Sequence, residues 1–399
     1  MATSLALAAE SVPDAAWDAV FTRTDGWTGG DVAATVDLGD GRTLWLFGDS
    51  LIGRVEKGKH AAGTQMVNNT VAVHPTPAAG SGALPAAQNL RFFWGPAGAD
   101  GRAAAWLTPD PTRVKARGDE SKEPGANGWY WPAGGGCVVA GEGGKPRLIL
   151  FFWHIGRRAG DHGIWGFKNV GGALAVVENF REPVEKWRAV QFANPHVVTA
   201  DAAKADPALR ESNWGSAALP EPAGDGAGVE QVYIYGVKET SPLNKQLLLA
   251  RAPAKSIEQF QAWRFYAGGD RWSAKAADAA AVADGIVNEF SVDRVKIGGR
   301  DHLVMVQSEP VLGAHILVRT AARPEGPWSK GAAVYDVPGV AKNKNYFTYA
   351  AKGHPLLSRE AELLVTYVIN SQDFRAMLGD AEIYRPRFVR VPLAGIHAG

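Results

Sequence analysis

The chain has 399 residues, 46% of them hydrophobic, and its 42 lysines and arginines nearly balance its 41 aspartates and glutamates. This composition is sufficient for a large core and excludes wholesale disorder. A net charge of +1 without a basic block excludes nucleic-acid binding driven by counterion release. The single cysteine, Cys137, excludes an intramolecular disulfide framework and a zinc site built from clustered cysteines. The longest apolar run, residues 148–155, is too short to span a membrane.

The N-terminal residues 4–10 are small and apolar, like the end of an export signal, but no basic segment precedes them. We therefore expect residues 1–12 to be a tail outside the fold, either a frayed terminus or the remnant of a signal. A secreted or periplasmic location is the corresponding expectation.

Short apolar runs bounded by Gly, Asp and Pro indicate strands along most of the chain. They recur in five units, each with a small or Gly-rich patch, a turn and a strongly apolar strand with a polar end. The strongly apolar strands cover residues 44–49, 148–154, 231–239, 303–309 and 363–370. A further strand follows in each unit, at residues 69–73, 172–177, 246–250, 315–319 and 387–391. Helix candidates are restricted to two short insertions, residues 256–263 and 274–283.

Units of this kind, each close to a four-stranded sheet, are typical of β-propellers. The predicted fold is all-β, a five-bladed β-propeller with short helical insertions, in which residues 1–399 form a single catalytic domain. A double β-sandwich is the alternative, since it also contains many short strands. The polar strand ends recur in register, and this regularity favours the propeller.

The inner strands of a propeller converge on its axis, and their polar ends open into one mouth, where ligand sites concentrate. Abundant aromatic residues (14 Trp, 15 Phe and 9 Tyr) provide surfaces that pack between sheets or stack on sugar rings. Each candidate has a structural alternative: a salt bridge for a glutamate, a satisfied core position for a histidine, and packing between blades for an aromatic ring. The substrate-binding candidates are Trp131, His154, Trp214, Glu239, Glu289, Tyr349, Lys352, His354 and Asn370. No phosphate loop, dinucleotide fingerprint or zinc-helix motif indicates a cofactor, and the metal content stays open.

The strongest local prediction concerns Asp31 and Asp49. If the three residues 39–41 close a hairpin, Asp31 faces Asp49 directly, and a two-residue loop shifts the pairing by one. Opposed Cβ atoms lie about 4.5–5.5 Å apart. Two carboxylates that close cannot both ionise readily, so one pKa rises and the pair offers an acid and a base or nucleophile. The alternative is that each aspartate only caps a turn.

Five segments resemble a known family. Residues 27–31, 40–49 and 66–70 look like its N-terminal signature, and residues 349–355 with 364–371 look like its C-terminal one. The family is the group catalogued as domain of unknown function 4185, which includes glycoside hydrolase family 183, the endo-D-arabinanases. Within the first signature, residues 68–70 also form a glycosylation sequon, which we interpret as hydrogen bonding at the start of a strand.

This resemblance implies a five-bladed propeller that hydrolyses internal α-D-arabinofuranosyl linkages, as found in mycobacterial arabinogalactan and lipoarabinomannan. The family's two catalytic aspartates match Asp31 and Asp49, and a substrate-binding role for His154, Glu239 and Lys352 is a weaker implication. Three other functions stay open: a hydrolase of another glycan specificity, a non-catalytic glycan-binding propeller, and a protein-interaction propeller. Direct pairing of the aspartates favours a separation of about 5–5.5 Å and a retaining mechanism over the about 6.5–9.5 Å of an inverting one.

Overall fold

The computed structural model describes residues 10–117, 127–158, 160–161, 166–224, 228–241, 244–340 and 342–396. Within these ranges no helix is long and apolar enough to cross a membrane. Residues 1–9 of the expected tail lie outside the described part of the chain, and residues 12 and 13 form a short strand.

The N-terminal part of the chain forms two sheets that share one hairpin. Its elements are β1 (Val12–Pro13), α1 (Ala15–Phe21), β2 (Asp25–Gly30), β3 (Ala34–Asp37), β4 (Arg42–Phe47), β5 (Ser50–Glu56), β6 (Lys59–His60), β7 (Gln65–Val67), β8 (Thr70–Pro75) and β9 (Arg91–Phe93). Blade one is the antiparallel sheet β3-β4-β8-β9, and a smaller sheet of β2, β5, β6 and β7 continues from the same hairpin.

The second and third blades follow in chain order. Their elements are β10 (Trp129–Ala140), β11 (Pro146–Arg157), β12 (Phe167–Val177), β13 (Ala189–Ala193), α2 (Ala200–Ala205), β14 (Ser212–Pro222), β15 (Val229–Ser241), β16 (Asn244–Pro253), β17 (Arg264–Tyr266), β18 (Trp272–Ser273) and β19 (Ala283–Asp284). Strands β10 to β13 form blade two, and β14 to β17, extended by β18 and β19, form blade three.

The last two blades complete the ring. Their elements are β20 (Phe290–Ile297), β21 (Arg300–Ser308), β22 (His315–Ala321), β23 (Ala332–Asp336), β24 (Tyr346–Gly353), β25 (Glu362–Ser371), α3 (Phe374–Gly379) and β26 (Pro386–Pro392). Blade four is β20 to β23, and blade five is β24, β25 and β26 with β1 from the N-terminus as its outermost strand. The predicted all-β, five-bladed propeller is therefore confirmed.

The two predicted helical insertions are short 3₁₀ helices, and the α-helices of the chain lie elsewhere. Residues 256–263 and 274–283 contain only the 3₁₀ turns Ala254–Ser256, Phe260–Ala262 and Ala276–Asp278. Both α1 and α3 begin at an aspartate whose side chain accepts backbone N–H bonds, a local capping signal that the search for apolar periodicity does not register.

The core is divided among the interfaces between consecutive blades. A separate cluster of buried apolar side chains lies between each neighbouring pair, and the fifth cluster, between blades five and one, is rich in aromatic rings from α1, β4 and β26. Burial of apolar surface contributes about 25 cal/mol per Å², so these interfaces hold the ring together.

The five first strands β3, β10, β14, β20 and β24 are neighbours around the axis. Where they converge there is little room for side chains. A Cβ at Gly134 would lie 2.8 Å from the carbonyl oxygen of Ser216, and one at Gly135 would lie 2.5 Å from that of Gly215. In blades two and three, the small residues of the predicted unit therefore lie on the innermost strand.

Three of the inner strands, β10, β14 and β24, carry a β-bulge that contains a residue with positive φ: Gly134 (107°), Gly215 (95°) and Ala350 (57°). A bulge breaks the alternation of side chains and re-aims those that follow it. The polar residues of the inner strands are therefore not placed by simple alternation.

Candidate active site

The first hairpin has the predicted register. Its three-residue loop is closed by the N–H of Leu38, which donates to the carbonyl of Arg42 (3.0 Å). The same register holds where Gly29 and Gly30 of β2 pair with β5. Between these paired segments, the N–H of Asp31 donates to the carbonyl of Asp49 (3.4 Å), and the N–H of Gly48 donates to the carbonyl of Asp31 (3.2 Å). The two aspartates therefore lie opposite each other.

The backbone of this hairpin is irregular next to the two aspartates. Val32 and Ala33 have φ values of 65° and 46°, unusual for residues with a Cβ, and they separate β2 from β3. A Cβ at Gly48 would overlap Oδ1 of Asp31, so glycine is required beside that carboxyl. Such local backbone strain is concentrated at functional sites.

Hydroxyl groups hold the carboxyl of Asp31. Its Oδ2 accepts hydrogen bonds from the hydroxyl of Tyr349 (2.6 Å) and from that of Tyr384 (3.0 Å). Burial raises the pKa of Asp31 to about 6, although the two tyrosine hydrogen bonds and the charge of Lys352 lower it.

Nitrogen donors hold the carboxyl of Asp49. Its Oδ1 accepts from the indole Nε1 of Trp131 (2.7 Å) and from Nδ2 of Asn68 (3.1 Å). Burial and then the neighbouring charge of Asp31 raise the pKa of Asp49 to about 7. Both donors converge on one oxygen, so Oδ2 is left to carry a proton.

Both carboxyls line a cleft of about 520 Å³, in the range of small-molecule sites. The cleft is bounded by blades one, two, four and five, and its walls are mainly aromatic and apolar. The lining includes Trp129, Trp131, Trp153 and Phe167 on blade two, Glu289 and Leu312 on blade four, and Phe347, Tyr349, Asn370, Phe374 and Tyr384 on blade five.

A third carboxyl, Glu289, precedes β20 and also lines the cleft. Its buried Oε2 has no hydrogen-bond partner among the described residues. Burial raises its pKa to about 7, with the charges of Asp31 and Asp49 acting in the same direction and that of Lys352 opposing them. Of the predicted binding residues, the structure thus brings Trp131, Glu289, Tyr349 and Asn370 to the cleft with the two aspartates.

Two histidines predicted to bind substrate lie in the protein interior instead. His154 is fully buried, with Nε2 2.5 Å from the carbonyl oxygen of Asn127, because alternation along β11 turns its neighbour Trp153 towards the cleft. His354 is fully buried between the hydroxyls of Thr35 (2.9 Å) and Thr366 (2.8 Å).

Trp214 and Glu239 are also away from the cleft. Trp214 is 2% exposed, and its Nε1 donates to the carbonyl of His196 (3.1 Å), as in the packing alternative. Glu239 forms an ion pair with Lys245 (2.7 Å) at the end of the second strand of blade three. Lys352 is 1% exposed and lies beneath the cleft floor.

Sequence reasoning missed several cleft residues. Asn68 belongs to the sequon at residues 68–70, and its side chain contacts Asp49. Its neighbour Asn69 bonds to the backbone at Leu107 and Tyr130, as predicted for the start of a strand. The aromatic density at residues 129–131 was a usable signal for Trp129. No local pattern distinguishes Tyr384, which reaches Asp31 from a loop before β26.

Metal ligation is not indicated by the residues that the structure describes. No group of three or more His, Cys, Asp or Glu side chains among them has an arrangement that could hold a metal ion.

Because the pKa of Asp49 is raised, replacing Asp49 by asparagine should stabilise the protein. A carboxyl whose pKa is raised on folding contributes stability that is complete below the unfolded pKa of about 3.9 and is lost as the pH rises through the folded value. Asp49→Asn keeps an oxygen for Trp131 and Asn68 and removes this loss. We expect D49N to melt above the wild type at pH 8, by on the order of 1 kcal/mol or more in unfolding free energy.

The measurement is thermal unfolding of both proteins between pH 4.5 and pH 8.5. The advantage of D49N should grow from pH 4.5 to about pH 7 and then level off. A constant or shrinking difference would contradict the assignment of a raised pKa to Asp49.

The comparisons with known proteins bear on family and fold. Residues 14–393 match the family described as domain of unknown function DUF5005. A proposed hydrolase from Bacteroides ovatus ATCC 8483 is similar in structure, with a TM-score of 0.65 and 19% identity over 96% of this chain and 90% of that one. The catalytic domain of a Coprinopsis cinerea GH62 α-L-arabinofuranosidase aligns over 96% of both chains at 9% identity, with a TM-score of only 0.41.

A comparison with curated proteins found no match. The first structural likeness supports the fold, and the second is too low to support an argument. Kinship with the group catalogued as domain of unknown function 4185 rests on the motif resemblance alone. The match to DUF5005 extends over nearly the whole chain, so the protein belongs to the DUF5005 family.

Proposed function

We propose that the protein is a glycoside hydrolase, and that its substrate is a furanoside polymer of the arabinan class. The observation that carries the proposal is the pair of opposed carboxyls, Asp31 and Asp49, both with a raised pKa, at the floor of a cleft walled by aromatic rings. Glycosidases require a carboxylic acid and a carboxylate on the two sides of the scissile bond.

The different partners of the two carboxyls support different roles. The hydroxyls of Tyr349 and Tyr384 stabilise an ionised Asp31, so Asp31 acts as the base or nucleophile. Asp49 has the higher pKa, and its two hydrogen bonds converge on Oδ1, so Oδ2 can carry the proton that Asp49 gives to the leaving oxygen. A pair of carboxyls whose pKa values are driven apart by their surroundings is the usual arrangement for acid and base catalysis.

Exposed apolar side chains at the lip of the cleft support a polymeric substrate. Phe374 on α3 is 39% exposed and Leu312 is 44% exposed, and both line the cleft. An exposed ring beside a catalytic cleft provides a flat surface for the face of a sugar. We expect Phe374→Ala to raise KM for the polymer about tenfold with little change in kcat, because it removes part of a burial worth about 1.5–3 kcal/mol.

Kinetics on a polymer and on a nitrophenyl glycoside test this prediction, since a small substrate does not reach the lip. Val190, also 39% exposed but on the outer strand β13, provides the matched control V190A. Equal KM values for F374A and V190A on the polymer would exclude Phe374 from substrate binding.

The narrower proposal, cleavage of internal α-D-arabinofuranosyl linkages, is supported by the motif resemblance at residues 27–31, 40–49 and 66–70. Such a polymer, for example mycobacterial arabinogalactan or lipoarabinomannan, lies outside the cytoplasm, and we propose a secreted or periplasmic location accordingly. A panel of arabinans, galactans and fructans, digested and resolved by chromatography, is the test. Internal cleavage yields a ladder of oligosaccharides from arabinan.

The same panel separates the remaining candidates. Products from another polymer would retain the hydrolase and reject the arabinan. Binding without products would identify a glycan-binding propeller and reject catalysis. If the panel shows no binding and no products, the proposal as a whole is rejected.

A further inference from the structure

A lysine lies buried at the centre of the ring. Lys352 is on the inner strand β24, its side chain is 1% exposed, and its Nζ has no hydrogen-bond partner in the described part of the chain. An ammonium group has three donors, and burying it without compensation is costly. Its position therefore calls for an electrostatic explanation.

A β-bulge in the backbone of β24 places Lys352 beside the candidate active site. The bulge of β24 lies between Tyr349 and Lys352, with Ala350 at a φ of 57°. This single irregularity directs the hydroxyl of Tyr349 onto Asp31 and the amine of Lys352 towards the axis. Across the axis, Gly134 makes room, because a Cβ there would lie 3.3 Å from Cε and 3.5 Å from Nζ of Lys352.

Carboxyl groups act on this amine electrostatically. Burial lowers the pKa of Lys352, whereas the charges of Glu289, Asp31 and Asp293 favour its ammonium form. Glu289 and Asp293 each leave one buried oxygen without a hydrogen bond among the described residues. Burial raises the pKa of Asp293 to about 7, against the lowering influence of Ser291 and Lys352. The neighbouring His354 has a pKa lowered to about 3 by burial and by Lys352, so it adds no positive charge.

The other groups that face Asp31 are neutral or negative. Tyr349 and Tyr384 donate hydrogen bonds to it, and Asp49 and Glu289 repel it. On the inner strand β10, Gly134 lies beside Lys352, and the carbonyl oxygen of Ser216 on β14 lies near the same glycine. The hydroxyl of Ser216 has no hydrogen-bond partner within the described ranges. Arg157 acts on Asp49 from the cleft side.

We propose that Lys352 is a positioning residue whose ammonium, buried near the axis, keeps the carboxylate of Asp31 ionised for its role in hydrolysis. This inference rests on the proposed function for its catalytic consequence, but its electrostatic part is independent of any substrate. It also replaces the predicted substrate-binding role of Lys352, since a side chain this deeply buried does not contact a ligand in the cleft.

The proposal has a direct consequence for pH dependence. An opposite charge nearby lowers a carboxyl pKa by about 1–3 units. Without the ammonium, Asp31 binds its proton at higher pH, so the acidic limb of the activity profile moves upward. Lys352→Met should shift that limb by about one pH unit, which is a tenfold loss of activity on the acidic side and little loss at alkaline pH. Lys352→Arg keeps the charge and should restore the profile.

Two further variants serve as controls for K352M and K352R. Lys168 is also buried and pairs with Asp201 (2.9 Å) on blade two, so K168M removes a buried ammonium without acting on Asp31. Its profile should keep the wild-type midpoint. Asp293 has a pKa raised to about 7 and is therefore protonated over the acidic limb, so D293N should move that limb much less than K352M does.

A second readout does not depend on activity. Carboxyl carbon NMR of aspartate-labelled protein, with D31N to identify the Asp31 resonance, gives the apparent pKa of Asp31 in each variant. A higher pKa in K352M, restored in K352R, supports the electrostatic role even if no glycan is hydrolysed, in which case only the proposed function fails. An unchanged Asp31 pKa, or an activity loss in K352M that is equal at all pH values, overturns the proposal. If K352M does not fold, the neutral variant K352Q takes its place, and an unchanged Asp31 pKa in K352Q overturns the proposal.

Discussion

Asp31→Asn and Asp49→Asn should each lower hydrolysis of the susceptible glycan by about 10²- to 10⁴-fold, the contribution of a general acid or base. Both substitutions preserve shape. Asparagine retains an oxygen to accept from Tyr349 and Tyr384 at one position, or from Trp131 and Asn68 at the other. A loss of activity therefore reports on the charge and the proton rather than on a collapsed site.

The two variants should differ in a way that assigns the roles. A nitrophenyl leaving group needs no protonation, so D49N should keep much of its activity on an aryl glycoside while D31N loses it on both substrates. Asp37, exposed on the same hairpin with its Oδ1 accepting from the N–H of Gly39, provides the control D37N, which should behave as wild type. Full activity in D31N or D49N would remove that residue from the mechanism.

The pairing of the two aspartates was predictable because a hairpin is a local structure. A tight loop fixes the register of the strands that follow it, so the loop at residues 39–41 determines which residues face each other eight positions away. The bulk of the strand pattern was predictable for a similar reason, since alternating and continuous apolar runs reflect burial between blades.

The other residues of the cleft were harder to predict, because their positions depend on which strand of each blade is innermost. The most apolar strand of each unit is the second strand of its blade, covered on both faces, whereas the innermost strand is short of space and carries small residues. His154 and Glu239 lie on second strands, and the side chain of each is directed away from the cleft. The bulges in β10, β14 and β24 then override simple alternation, and no sequence pattern reveals them.

Closure of the ring was also beyond sequence reasoning, since it joins the two ends of the chain. Strand β1 pairs with β26, which places Val12 opposite Arg390. Asp14 follows directly: its Oδ1 accepts from the N–H groups of Ala16 and Trp17 at the start of α1, and its Oδ2 lies 2.6 Å from Nε of Arg390, with both side chains 7% exposed. One carboxylate thus caps a helix and pairs with a buried guanidinium.

Asp14→Ala should therefore destabilise the protein by about 3–5 kcal/mol, the cost of leaving a buried charge without its partner. The lost cap adds about 1 kcal/mol. Asp14→Asn keeps an oxygen for the cap and removes only the charge, so it should lie between the wild type and D14A. Asp373 caps α3 in the same way but is exposed, and D373A should cost only about 1 kcal/mol.

Equilibrium unfolding in urea compares the three variants, and the double variant D14N/R390M isolates the ion pair, because removing both charges should recover much of the loss. Arg390 also has Glu362 at 3.5 Å, a weaker partner that does not replace Asp14. If D14A proves no less stable than D373A, the ion pair at the junction of the chain ends does not stabilise the protein, and closure of the propeller rests on the pairing of β1 with β26 and on the aromatic packing between blades five and one.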